Sequence, residues 1–299
     1  MNRVIVGKEQ VSKLILTTLL AGGHVLMEDV PGVGKTTFAN VLAKSIDCKF
    51  TRIQFTPDTM PSDITGSSIY NYEQHKFEYF EGAIMSNIVL ADEINRTSPK
   101  TQASLLEAME EGRVSVDGKT YDLPAPFMVI ATQNPVMQRG TYYLPESQLD
   151  RFMMKLTVGY PEKMEEVQIV KNMIEGITAA TVLPVVTMQD IVMLKKQAEQ
   201  VKISERLIEY AAECVRRTRT HELVQLGASP RALLAWVKAA KAYAYVEGRE
   251  YVVPDDLKFL APYVLSHRLI VAQHTTKERE NEGEIVKEII RKVSVPLGR

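Results

Sequence analysis

Long apolar runs are missing from this 299-residue chain: no stretch approaches the roughly 18 consecutive apolar residues that a bilayer-crossing helix needs, so no membrane span is expected. Cysteine is nearly absent. Cys48 and Cys214 stand alone without a CxxC pair, and they read as small buried hydrophobes in a reducing compartment, the cytoplasm, rather than as metal ligands or a disulfide. A net charge is missing as well: 36 basic against 37 acidic side chains leave −1, so no global field draws the chain to nucleic acid or an anionic membrane. Repeats and low-complexity tracts are also lacking.

The apolar and charged fractions, 45% and 24%, are those of a globular protein, and the length suffices for two domains with cores of their own. Near the start, Leu14 to Gly23 (LILTTLLAGG) has the look of a secretory leader. Lys8, Glu9, Gln10 and Lys13 interrupt that pattern, while Val11, Leu14, Ile15 and Leu19 fall at helical spacing. The spacing predicts an amphipathic helix that stays in the protein.

The chain is organised around EDVPGVGKTT, Glu28 to Thr37, entered from the apolar run His24 to Met27. An apolar strand, a Pro/Gly turn and Gly34-Lys35-Thr36 opening a helix form the context of a phosphate-binding loop, where backbone N–H groups converge on an anion. Lys35 would reach the β- and γ-phosphates of a bound nucleotide, and the Thr36 hydroxyl would ligate Mg²⁺. The general motif has glycine where this chain has Asp29, a residue that tolerates unusual backbone angles. The plainer reading is a strand-turn-helix corner without a ligand.

Asn87 to Arg96 (NIVLADEINR) is the second landmark. The apolar run Ile88 to Ala91 suits a buried parallel strand and ends in adjacent carboxylates, Asp92 and Glu93. Two acids there are costly without a cation. With Mg²⁺ present, Asp92 would support the metal and Glu93 would polarise the attacking water. A solvated strand end is the alternative.

Between the landmarks, Thr37 to Ile46 reads as a helix and Phe50 to Phe55 as a strand. Ser67 to Tyr72 and Lys76 to Phe80 read as a hairpin around Glu73-Gln74-His75. Its Tyr and Phe residues serve either a partner or only the hairpin's own packing. Beyond Asp92, Ser98-Pro99 caps a helix that Gly112 stops, and Asp117-Gly118 centres a second hairpin over Arg113 to Asp122. Phe127 to Ala131 is a buried strand leading to Thr132-Gln133-Asn134-Pro135, where Asn134 is either a water- or γ-phosphate-binding group or a turn residue. A helix from Leu144 to Phe152 and a strand from Met154 to Val158 follow. Helices take over from Glu162, with starts at Thr187 and Asp190, at Ser229-Pro230 and at Pro254. A boundary is expected between Gly176 and Pro184, the last thirty residues are read as charged and helical, and Val295 to Gly298 as a tail.

With these residues in place, the chain resembles the MoxR-type ATPases of the AAA+ superfamily, in the helix-2-insert group. The likeness rests on VPGVGKT, QFTPDTMPSDITG, LADEINRTSPKTQASLLEAMEEGRVSVDG, VIATQNP, LPESQLDRF and GASPRA in that order, over nearly the whole length. It implies an α/β P-loop AAA+ core over 1–180, with a central parallel sheet flanked by helices and hairpin insertions near 66–80 and 113–122, and an all-helical lid over 181–299. It implies ATP and Mg²⁺ as cofactors. Pro31, Gly32, Val33, Gly34, Lys35, Thr36 and Thr37 match the nucleotide loop, and Asp92 and Glu93 the Walker B acids, with Thr36 and Asp92 on the metal. Asn134 matches sensor 1, Arg151 the arginine finger lent to a neighbouring subunit, Arg231 sensor 2, and Val6 with Gly7 the adenine contact. Asp29 is similar to what MoxR-type loops carry.

The resemblance further implies a homo-hexameric ring that remodels or matures protein clients, or loads their metal or cofactor, with partners bearing a von Willebrand factor A domain. A nucleic-acid motor shares such insertions, but near-neutral charge and the lack of a basic stripe argue against it. A nucleotide-gated switch with little turnover is the third reading.

Overall fold

The computed structural model describes residues 3–29, 32–134, 142–271 and 282–295. Helix α1 (Glu9–Leu20) leads into strand β1 (Val25–Glu28) and helix α2 (Lys35–Ile46), followed by β2 (Phe50–Gln54), a short α3 (Pro61–Thr65) and the hairpin β3 (Gly66–Asn71) and β4 (Lys76–Glu81). Next come β5 (Ile88–Asp92), α4 (Pro99–Glu111), the hairpin β6 (Arg113–Val116) and β7 (Lys119–Asp122), β8 (Met128–Gln133), α5 (Glu146–Leu149) and β9 (Met154–Leu156). The C-terminal part holds α6 (Lys163–Ile174), α7 (Met188–Gln200), α8 (Glu205–Thr218), β10 (Val224–Leu226), α9 (Pro230–Val246), α10 (Pro254–Leu265), β11 (Ile270–Val271) and α11 (Glu282–Lys292).

Five strands form one parallel sheet in the order β2-β5-β8-β1-β9. Val25 to Met27, Ile88 to Ala91 and Met128 to Ala131 are fully buried, as expected of central strands covered on both faces. Because successive side chains point to opposite faces, each strand feeds two separate cores. Val25, Met27, Ile88, Leu90, Met128 and Ile130 pack with α1 and α2. That core continues into the C-terminal helices through Tyr210, Trp236, Leu257 and Ile285. Leu26, Val89, Ala91, Val129 and Ala131 face the other way, onto Leu105 and Leu106 of α4 and Ile64 of α3. Helix α1 contributes Leu14, Ile15 and Leu19 to the core shared with the C-terminal helices and packs on α7 and α9.

The predicted starts hold. Ser98 Oγ accepts from Thr101 N at 3.3 Å, and Ser229 Oγ from Ala232 N at 3.2 Å. Thr187 and Asp190 cap each other's backbone N–H groups at 3.2 and 2.8 Å. Both hairpins form, and Gly112 ends α4 in the left-handed region.

Several elements differ from the sequence reading. The helix expected from Leu144 to Phe152 is a single turn, Glu146–Leu149. Strand β9 stops at Leu156 instead of Val158, because the N–H groups of Val158 and Gly159 go to the Asp29 carboxylate rather than to a neighbouring strand. The C-terminal part is helical except for an antiparallel ribbon of β10 and β11, strands of three and two residues that are too short to show alternation in sequence. Helix α11 accounts for the helical end, and of the Val295 to Gly298 tail only Val295 lies within the described residues. No helix among the described residues is long and apolar enough to cross a membrane.

Candidate nucleotide site

The carboxyl ends of β1, β2, β5 and β8 open onto a cleft of about 400 Å³. In open α/β sheets, ligands bind in this position. Its wall is Gly32, Gly34, Lys35, Thr36, Thr37, Arg52, Gln54, Asp92, Glu93 and Asn134. Gly32 and Gly34 have φ of 89° and 90°, so glycine is needed there for backbone angle, and Gly34 stands immediately before the first turn of α2. The free N–H groups and the dipole of α2 then favour an anion at Lys35 and Thr36. Lys35 Nζ donates to the Asp29 carbonyl at 2.9 Å. Burial lowers the Lys35 pKa, while Asp29, Asp92 and Glu93 oppose that shift.

Asp29 is nearly buried, at 6% exposure, and its φ is not positive, so the position does not require glycine. Its Oδ2 accepts the N–H of Val158, and that of Gly159 at 3.0 Å. The residue that departs from the general loop motif thus ties the loop to the chain leaving β9.

The two acids have different surroundings. Asp92 Oδ1 accepts from the Thr132 hydroxyl and Oδ2 from Arg52 Nη2, each at 2.6 Å. Glu93 sits in the left-handed region at φ 57°, and its own N–H donates to Thr132 Oγ at 2.9 Å. Its carboxylate accepts from Gln54 Nε2 at 3.1 Å and from Arg96 Nη1 at 2.8 Å. One buried threonine on β8 therefore orders both acids at the end of β5.

The fold brings Lys35, Thr36, Thr37, Gly32, Gly34, Asp92, Glu93 and Asn134 together on this one cleft. Val33 packs against the core beside α2 instead of lining the cleft, and Pro31 lies outside the described residues. Gly7 lines a separate cavity of about 220 Å³ with Leu156, Thr157 and Tyr263, and Val6 lines neither cavity. Arg151 and Arg231 are also absent from the cleft wall. They meet each other on Glu110 of α4, with Arg151 Nε 3.3 Å from Oε2 and Arg231 Nη2 2.8 Å from Oε1. A physical reason lies at Ser229, whose Oγ donates to Asp150 Oδ2 at 3.0 Å and seats the start of α9 against the Arg151 segment.

Sequence reasoning missed Arg52, Gln54, Arg96, Glu110 and Thr132. Arg52 and Gln54 stand two apart on β2, hence on one face, and the register Gln54 opposite Asp92 brings them to the acids. The polar pair was visible in FTRIQF, but not the strand it would meet.

Comparison with known proteins bears on this geometry. The profile of the "ATPase family associated with various cellular activities (AAA)" matches residues 24–154, and that of the "AAA lid domain" matches 216–289. An uncharacterized Bacillus subtilis protein, YeaC, is 53% identical over 298 residues, covering all of this chain and 93% of its own. Chaperone MoxR1 of Mycobacterium tuberculosis is 39% identical, covering 99% of this chain and 80% of its own. A crystal structure from Cytophaga hutchinsonii, of a protein provisionally assigned as an ATPase, superposes with a TM-score of 0.92 at 40% identity, covering 99% of this chain and 92% of that one. Similarity of that extent, running from the phosphate loop through the helical end, makes this chain a member of the MoxR group of AAA ATPases, and an ATPase.

Proposed function

We propose that the chain hydrolyses Mg·ATP as part of a ring, a hexamer, in which each protomer completes its neighbour's site, and that turnover remodels or matures protein clients. The observation that carries this reading is the position of Arg151 and Arg231, gathered on Glu110 and away from the cleft of their own chain. A loose phosphoryl-transfer transition state needs positive charge on its oxygens, and an arginine finger contributes about 10³ to 10⁵ in rate. Arg151, held off its own cleft, suits delivery to the next one, and Arg231 would be delivered to the γ-phosphate from the helical lid.

Within one protomer, the loop from Pro31 to Thr37 with Lys35 holds the triphosphate, and Gly7 would border the base from the cavity it shares with Leu156, Thr157 and Tyr263. Glu93, oriented by Gln54 and Arg96, orders the attacking water together with Asn134. The residues fit a magnesium ion: the Thr36 hydroxyl and Asp92 carboxylate are hard oxygen donors on one cleft, and Asp92 already accepts a cation, the Arg52 guanidinium. When bound, Mg²⁺ supplies charge neutralisation at the β- and γ-oxygens.

Residues 1–180 would form the nucleotide-binding domain and 181–299 the lid. The chaperone name of the mycobacterial relative supports protein clients, with von Willebrand factor A domain proteins as the class to test. The exposed Tyr72 and Phe77 on the first hairpin are a surface for them. The two free thiols suit the cytoplasm.

The test compares the native protein with Glu93→Gln. Hydrolysis should fall by about 10² or more with ATP still bound, and native turnover per chain should rise with protein concentration as rings assemble. Full turnover by a monomer would overturn the ring. Equally slow rates for both proteins would favour the switch, and DNA-stimulated hydrolysis the nucleic-acid motor.

A further inference from the structure

We infer that Arg268, in the turn after α10, is the positioning residue for Arg151, so that the C-terminal helices hold the guanidinium lent to the neighbouring nucleotide. This rests on the reading of Arg151 just given. Arg268 is only 6% exposed and points into the segment Asp150-Arg151-Phe152. Its Nη2 donates to the carbonyls of Asp150 at 3.1 Å and Phe152 at 2.8 Å, the residues on either side of Arg151. Nε lies 2.7 Å from Asp150 Oδ1, close enough for an ion pair although not aligned as a hydrogen bond. Nη1 donates to Val264 O at 2.6 Å, which fixes the guanidinium to the end of α10. The neighbouring His267 contributes Nε2, 3.0 Å from Phe152 O.

One guanidinium nitrogen, Nη2, therefore holds the carbonyls of both residues flanking Arg151, while Nη1 anchors the group to α10 and Nε faces the Asp150 carboxylate. The carboxylate of Asp150 closes the arrangement by accepting from Ser229 Oγ at 3.0 Å, two residues before Arg231. Arg268 thus ties both arginines of this edge to the lid through one acid. Burial brings its pKa down to about 10, which leaves it charged at neutral pH.

The side-chain pairing of Arg151 cannot supply this rigidity. Its contact is with Glu110, a carboxylate 41% exposed, and an exposed ion pair contributes little because solvent screens it. The buried backbone clamp sets where the guanidinium starts from.

The experiment uses Arg268→Lys in the full-length protein. Lysine keeps the charge, but its single nitrogen cannot hold the two flanking carbonyls, Val264 O and the Asp150 carboxylate at once. We expect kcat to fall about tenfold to a hundredfold with the KM for ATP within about twofold, as for a displaced catalytic group. A purely structural role would instead change KM, the folded fraction, or nothing. The decisive readout is mixing with Glu93→Gln protein, whose own site is dead but whose Arg151 is held natively. Activity should recover, because those protomers lend their guanidinium to the intact clefts of the Arg268→Lys chains. Arg151→Ala is mixed in parallel. If Arg151→Ala is rescued and Arg268→Lys is not, or if Arg268→Lys is as active as native, the positioning role is wrong and the ring stands. If Arg151→Ala itself is not rescued, the ring reading falls and this inference with it. Asp150→Asn, which removes only the charge, carries the same test should the lysine variant fail to fold.

Discussion

The tie between Asp29 and the chain beyond β9 can be measured directly. Oδ2 of this nearly buried side chain takes the N–H groups of Val158 and Gly159, which have no strand to pair with once β9 ends at Leu156. A hydrogen bond to a charged group contributes about 1.5–3 kcal/mol, and a buried donor left without a partner costs about 1–3 kcal/mol. Allowing for the cost of burying the carboxylate, Asp29→Ala should lose about 2–4 kcal/mol. Asp29→Asn keeps an acceptor oxygen without the charge and should lose about 1 kcal/mol. The informative variant is Asp29→Gly, which restores the residue of the general phosphate-loop motif. It should be at least as destabilised as Asp29→Ala, by up to about 1 kcal/mol more, because glycine adds backbone freedom at a position that does not need positive φ. The assay is urea unfolding followed by fluorescence of Trp236, the single tryptophan, which is fully buried in the continuous core. An Asp29→Gly protein as stable as native would refute the argument, since the carboxylate would then be holding nothing.

Three more outcomes are expected. His24 is buried, accepts Val129 N–H on Nδ1 at 3.0 Å, and has its pKa lowered by burial from 6.5 to about 4. The unfolded chain therefore binds the proton first, and stability present above about pH 6.5 is lost as pH falls toward 4, worth roughly 3 kcal/mol. His24→Gln should flatten that acid limb of a denaturation series only in part, because the buried His267 is shifted the same way, and an unchanged limb would exclude the assignment. Deleting Glu73 to His75, all exposed at the hairpin tip, should leave unfolding within about 0.5 kcal/mol and basal ATP turnover at the native rate while impairing client activation. Retained client activation would move the contact elsewhere. Trp236→Ala removes the largest buried side chain of the C-terminal helices and its hydrogen bond to Leu257 O, and calorimetry should find a loss of about 3–5 kcal/mol.

What the chain reveals before folding is local chemistry. The three buried strands, the caps Ser98, Thr187 and Ser229, the turn at Asp117-Gly118 and the glycine loop before α2 could each be read from neighbours a few residues apart. The juxtaposed acids Asp92 and Glu93 were equally plain, since a costly pair at the end of an apolar strand asks for a cation. Parallel pairing decided the rest. Strands β2 and β5 lie side by side with a hairpin inserted between them in sequence, so no local pattern could assign Gln54 to Glu93 or Arg52 to Asp92. The same holds for Asp29, whose partners are 129 and 130 residues away. It holds also for Arg151 and Arg231, which only the family resemblance singled out and which are brought onto Glu110 only when α4, α9 and the turn at Arg268 pack together. Residue types and short spacings carry which groups can do chemistry. Which groups meet is settled by tertiary packing, because a carboxylate or guanidinium is drawn to whatever opposite charge the fold sets beside it.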